Sequence, residues 1–162
     1  MKEFELAKFK AFGLLILSLL FSGASLAATL LINEEEASRP DMVVPSGNLG
    51  GVTLSPTATL IEPTLPVKSP FRLVVKFEAF GGAKIVLAKV NVVYAKIQPV
   101  VVTHRLKSAL TTEGIDLSDA SAPPGKHIFR LQLEDSTGKR GIQYFAVTVA
   151  KQSQVHLRSA HQ

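Results

Sequence analysis

The side chains best able to do chemistry here are four histidines, a few carboxylates and a scatter of arginines and lysines; the chain has no cysteine. A thiolate nucleophile, a disulfide, a cysteine-ligated zinc and a cysteine-anchored lipid are therefore all excluded. His156 and His161 are five apart in a polar tail, a spacing that does not put both on one helical face. His104 stands next to Arg105, whose charge disfavours a bound cation. His127 opens a strand on its inward phase, which suits a covered edge residue better than a ligand. Met42 is the only internal methionine, too little for a copper carrier.

Asp116, Asp119, Glu134 and Asp135 could converge at one end of a β domain and offer hard oxygens to calcium. Their spacing matches no dedicated calcium loop, and aspartates in turns usually bond their own backbone. No Gly-x-Ser-x-Gly, phosphate loop or His-Glu-x-x-His occurs, and no nucleophile–base pair or carboxylate dyad falls at a readable spacing. The stretch GNLGG, Gly47 to Gly51, precedes no helical pattern and reads as spacing. The expectation is a non-enzyme with no metal and no cofactor.

Arg72, Lys76 and Arg130 fall on outward phases of alternating strands. In one sheet they would form a basic face for an anionic lipid or glycan. The competing reading is that cations on strands blunt edge pairing. No aromatic residues interleave with them, so nucleic acid is not an expected partner.

The elements that must position these residues are strands. FRLVVKFEA sets Phe71, Leu73, Val75 and Phe77 against Arg72, Val74, Lys76 and Glu78, the period of a half-buried strand. Gly81 and Gly82 make a turn. KIVLAKVNVVYAK changes phase between Leu87 and Val90, which predicts a bulge or break near Ala88. In VTHRLKSALT, Thr103 could cap a short helical turn that Gly114 ends. GIDLSDASAPPG reads as loop, with a short strand at most around Ile115 to Leu117. Phe129, Leu131 and Leu133 form one face of a strand, and EDSTGKRG reverses the chain. Phe145, Val147 and Val149 then form the buried face of the last strand. A lone hairpin is only marginally stable, so a second sheet must cover it.

The first 27 residues have the three parts of a secretory signal: Lys2, Lys8 and Lys10, an apolar core from Ala11 to Phe21, and small residues with Ser25 and Ala27 at −3 and −1 of a cut. The rival is an uncleaved inner-membrane anchor, but the apolar core is short of the roughly 18 residues that span a bilayer. Export without disulfides suits a bacterial periplasm. Residues 28–56, with EEEASRP and a glycine cluster, read as a flexible linker, and 151–162 as a disordered tail. Charge is uneven. Residues 28–60 hold four acids and one base, net −3, whereas residues 61–162 hold 14 bases and 7 acids, net +7. That split raises the prospect that the acidic arm folds back on the basic domain.

From Thr57 to Val149 there are six or seven strand candidates. The Pro-Gly-x-His entry at Pro124 to His127, the alternating strand, EDSTGKRG and FAVTV resemble the last two strands of bacterial immunoglobulin-like and fibronectin-type domains, as found in small proteobacterial exported proteins. The resemblance implies an all-β, two-sheet antiparallel immunoglobulin-like sandwich over residues 57–150. The resemblance says little of role, since this sandwich hosts many; the lack of a catalytic frame leads to the expectation of a non-catalytic, exported module for protein binding or support. The expected partner is another envelope protein, met at a strand edge or by end loops. The alternatives are an anionic envelope component, or service as accessory domain to a separate envelope enzyme.

Overall fold

The computed structural model describes residues 27–44 and 54–151. The expected signal segment through residue 26, the glycine cluster Gly47 to Gly51 and the tail beyond residue 151 lie outside these. Two four-stranded sheets pack face to face. The first runs β1-β6-β3-β2, with β1 Thr29–Leu30, β2 Thr57–Glu62, β3 Phe71–Glu78 and β6 Gly114–Ser121. The second runs β5-β4-β7-β8, with β4 Asn91–Tyr94, β5 Val100–Val101, β7 Gly125–Glu134 and β8 Arg140–Val149. Set β1 aside, and the chain crosses between sheets after β3, β5 and β6, as in the ABE and C′CFG strands of an immunoglobulin-like sandwich.

Alternation builds the core. Phe71, Leu73, Val75 and Phe77 from β3 meet Phe129, Leu131 and Leu133 from β7, all buried. The phase change after Leu87 is absorbed by a 3-10 turn, Leu87–Lys89, after which Val90, Val92 and Tyr94 enter the core.

Three local expectations are corrected. Residues 114–121 form a full strand, not a loop, pairing with β3 from Lys76↔Gly114 to Phe71↔Ala120. A register shift between Phe71 and Leu73 lets Ile115, Leu117 and Ala120 all face inward despite their uneven spacing. Gly114 begins that strand rather than ending a helix; a Cβ there would overlap Val75 O. Thr103 caps nothing: its Oγ1 accepts the Val92 N–H at 2.8 Å and so ties the 3-10 turn Thr103–Leu106 to β4.

The largest correction concerns residues 28–44 of the expected linker. Leu31 and Ile32 are 1% and 0% exposed in the core. β1 adds to β6 in parallel, and a one-turn helix, α1 (Glu34–Ser38), follows. The physical reason is a capping box: Asn33 Oδ1 accepts the Glu36 N–H at 2.7 Å, and Glu36 Oε2 accepts the Asn33 N–H at 3.0 Å. Glu36 then binds Arg105 through two bonds of 2.7 Å each. Farther on, Pro40 O accepts the Ile97 N–H, and Asp41 pairs with the buried Lys96. The segment is a strap. It runs from the β6 edge of one sheet to the β4–β5 side of the other and closes that flank of the sandwich. The acidic arm does fold back on the basic domain.

Candidate functional site

The two sheets present different outward faces. On the first, charges are paired: Arg72 donates to both carboxylate oxygens of Asp116 at 3.0 and 2.8 Å, and Lys76 lies 3.2 Å from Glu78. Hydrogen bonding to Arg72 holds the Asp116 carboxyl below its ordinary range. Arg130 stands on β7, in the other sheet. The basic face expected of Arg72, Lys76 and Arg130 is therefore not formed, because the sandwich puts the first two and the third on opposite sides.

On the second sheet the pairing registers bring Val101, Val93, Arg130 and Tyr144 into one row across all four strands. The next row is Asn91, Gln132 and Ile142. Val93 points away from the core yet is only 5% exposed, so it is the floor of the face. Ile142 is 55% and Tyr144 39% exposed. Arg130 makes no ion pair with another described residue. At one end Arg140 donates to Glu134 at 2.8 Å. The face combines exposed aliphatic and aromatic area with one unpaired guanidinium, the residue types that anchor protein interfaces.

The remaining candidates have structural work. His127 is 2% exposed; its Nε2 lies 2.7 Å from Pro123 O and its Nδ1 3.0 Å from the Tyr94 hydroxyl. The carbonyl can only accept, so Nε2 carries a proton and donates to it, while Nδ1 meets the Tyr94 hydroxyl. Both nitrogens are engaged, and the ring is a core residue rather than an edge one. Asp116 and Asp119 lie on β6, whereas Glu134 and Asp135 lie at the far end of β7 in the opposite sheet, so the four carboxylates do not converge. Asp135 organises the β7–β8 turn: its Oδ1 accepts from the Thr137 hydroxyl, the Thr137 N–H and the Lys139 N–H. The Thr137 hydroxyl bond leads in lowering its pKa, against the opposing effect of burial. Among the described residues no group of three or more histidines and carboxylates could hold a metal ion.

The exposed apolar positions on the second sheet's outer surface were missed in sequence reasoning. The signal was present: Ile142, Tyr144 and Ala146 occupy outward phases that a plain scaffold would fill with charge. Among the described residues no helix is long and apolar enough to cross a membrane.

No protein-family profile matches the chain, and no curated protein matches it in sequence. Solved structures do match in shape. Murine CRIg is 10% identical, with 59% of this chain and 96% of that one covered, at a TM-score of 0.37. The PKD domain from the human VPS10 domain-containing receptor SorCS2 is 16% identical, with 69% and 98% covered, at a TM-score of 0.38.

Proposed function

We propose that the chain is a non-catalytic, exported binding module that docks an envelope protein on the outward face of the β5-β4-β7-β8 sheet. The observation that carries this is the contrast between the faces. The first sheet also exposes Leu30 and Ile61, but its outward cations are neutralised by neighbouring carboxylates, whereas the second sets exposed Ile142 and Tyr144 beside Arg130, which makes no ion pair among the described residues. Ile142 and Tyr144 keep much of their surface in water in the free chain; buried under a partner they contribute apolar area. Export is supported by the lysine, apolar and small-residue order of the N-terminus. A cut after Ala27 would leave β1 and the strap whole.

The test is crosslinked capture from native envelope extract with matched variants. Ile142→Glu with Tyr144→Glu should lose the crosslinked species, whereas Arg72→Gln with Lys76→Gln should keep it. The reverse pattern would refute the face reading. N-terminal sequencing of the mature protein should begin at Ala28; an intact leader would refute cleavage.

A further inference from the structure

The edge of β8 extends this face, and its backbone is open. In the β7–β8 hairpin, Asp135 N–H donates to Lys139 O, which sets the alternation of the ladder. Odd-numbered β8 residues then bond β7, and even-numbered ones direct N–H and C=O away from it. At the far end that outer side is used: Val67 N–H donates to Thr148 O, and Ala150 N–H donates to Val67 O. Between Arg140 and Thr148, the N–H and C=O of Ile142, Tyr144 and Ala146 have no backbone partner among the described residues. Edge strands are normally defended by lysine, proline or a bulge. This window holds Ile142, Tyr144 and Ala146 in regular register. The other open edge, β2, is defended: its register breaks between Leu60 and Glu62, and Pro63 follows. The opposite flank of the sandwich is sealed by the strap.

We infer that the Ile142–Ala146 window of β8 accepts an extended, acidic and apolar segment of the partner protein as a fifth strand of the second sheet. The inference rests on the face reading above. Strand addition satisfies the exposed backbone groups and gives affinity without a preformed cavity. Side chains of the added strand would alternate, and those on the outward phase would lie beside Ile142 and Tyr144, which calls for apolar residues. Strands in a sheet are about 4.8 Å apart, so the added strand lies roughly 10 Å from β7, within reach of the Arg130 side chain. The charges here are Lys126, Arg130 and Arg140, with only Glu134 against them and that already bonded to Arg140. A second copy would bring another basic edge to a basic edge; a segment with a carboxylate complements it.

The probe is a random twelve-residue peptide library displayed on phage and selected on the full chain, with the best peptide then followed by amide hydrogen exchange. Enriched peptides should alternate apolar residues and carry an aspartate or glutamate. The bound peptide should slow exchange at Ile142, Tyr144 and Ala146 and leave Gln143 and Phe145, already bonded to β7, unchanged. Ala146→Pro removes an N–H that no internal bond uses and should weaken binding at least about tenfold, or 1.4 kcal/mol. The exchange measurement decides the matter even if that variant folds poorly. A peptide that needs Ile142 and Tyr144 yet leaves the three amides unprotected overturns strand addition and leaves the face reading intact. Selection of no peptide, or of peptides indifferent to Ile142→Glu, overturns both. Protection that rises with protein concentration alone, without peptide, overturns the choice of partner in favour of a second copy.

Discussion

Ile32→Ala in the strap tests whether residues 28–44 belong to the folded core or merely lie upon it. Ile32 is fully buried, and its neighbour Leu31 is held in place by its N–H donating to Ser121 O at 2.8 Å and its carbonyl accepting from Arg105 at 2.8 Å. Truncating a buried isoleucine to alanine removes transfer energy and leaves a cavity, together about 3 kcal/mol. With a urea slope of about 1.5 kcal/mol per molar, the unfolding midpoint should fall by about 2 M. Leu30→Ala, on an exposed side chain two residues earlier in the same segment, is the control and should stay within about 0.5 kcal/mol. The assay is urea unfolding followed by circular dichroism on residues 28–162. If Ile32→Ala moves the midpoint by no more than Leu30→Ala does, the strap is not part of the cooperative unit, and the account of that flank fails.

Other outcomes follow from the same contacts. Glu36→Gln leaves Arg105 without its two carboxylate bonds and should cost about 2 kcal/mol, measured by the same midpoint; an unchanged midpoint would show that water replaces the pair. Arg105 hydrogen bonding, partly offset by burial, holds the Glu36 carboxyl below its ordinary value of 4.5. A depressed folded-state value means stability present above that ordinary value and lost as pH falls through the folded one. The midpoint should therefore be level above about pH 5 and decline below it, and Glu36→Gln should show a lower plateau and a shallower decline. Arg72→Gln should leave the midpoint where the Leu30→Ala control leaves it, because both partners of that pair are exposed; a clear loss would contradict the assignment of the pair to the solvent face.

Where polarity alternated cleanly, the sequence was a faithful guide to the fold. β3, β7 and β8 follow from their period of two, and the two-sheet sandwich follows from needing a cover for each apolar face. β6 was hidden because its inward residues, Ile115, Leu117 and Ala120, are not evenly spaced, and its outward ones are the aspartates and serines that usually signal turns. Only the register shift against β3 restores the pattern, and a shift is a property of the pair rather than of either strand. The strap was hidden for another reason. Three consecutive glutamates suggest disorder when counted, but Asn33 followed by Glu36 three residues later, just after Leu31 and Ile32, is a helix start with its anchor attached. Arg72, Lys76 and Arg130 share a phase within their own strands, yet phase says nothing about which sheet a strand joins.

Strap and open edge together explain why a small sandwich would carry an N-terminal extension at all. A sandwich has two flanks, each with unpaired backbone and a seam of apolar side chains between the sheets. Here one flank is closed by Leu31, Ile32 and the Glu36–Arg105 pair, all from the chain itself. On the other, Val67 covers only the last residues of β8 and leaves Ile142 to Ala146. If both edges were open, a partner strand could add on either side and the chain could also pair with itself into aggregates. Closing that flank leaves backbone to be offered on the other, where β2 is defended by its register break and Pro63, so the β8 window beside the apolar face and Arg130 is the undefended edge there. Deleting residues 28–44 should thus do more than lower stability. It should expose the β6 edge and drive self-association, with light scattering rising at concentrations where the chain that keeps residues 28–44 stays constant. If the shortened chain unfolds without associating, the strap serves stability alone and the argument from edges is wrong.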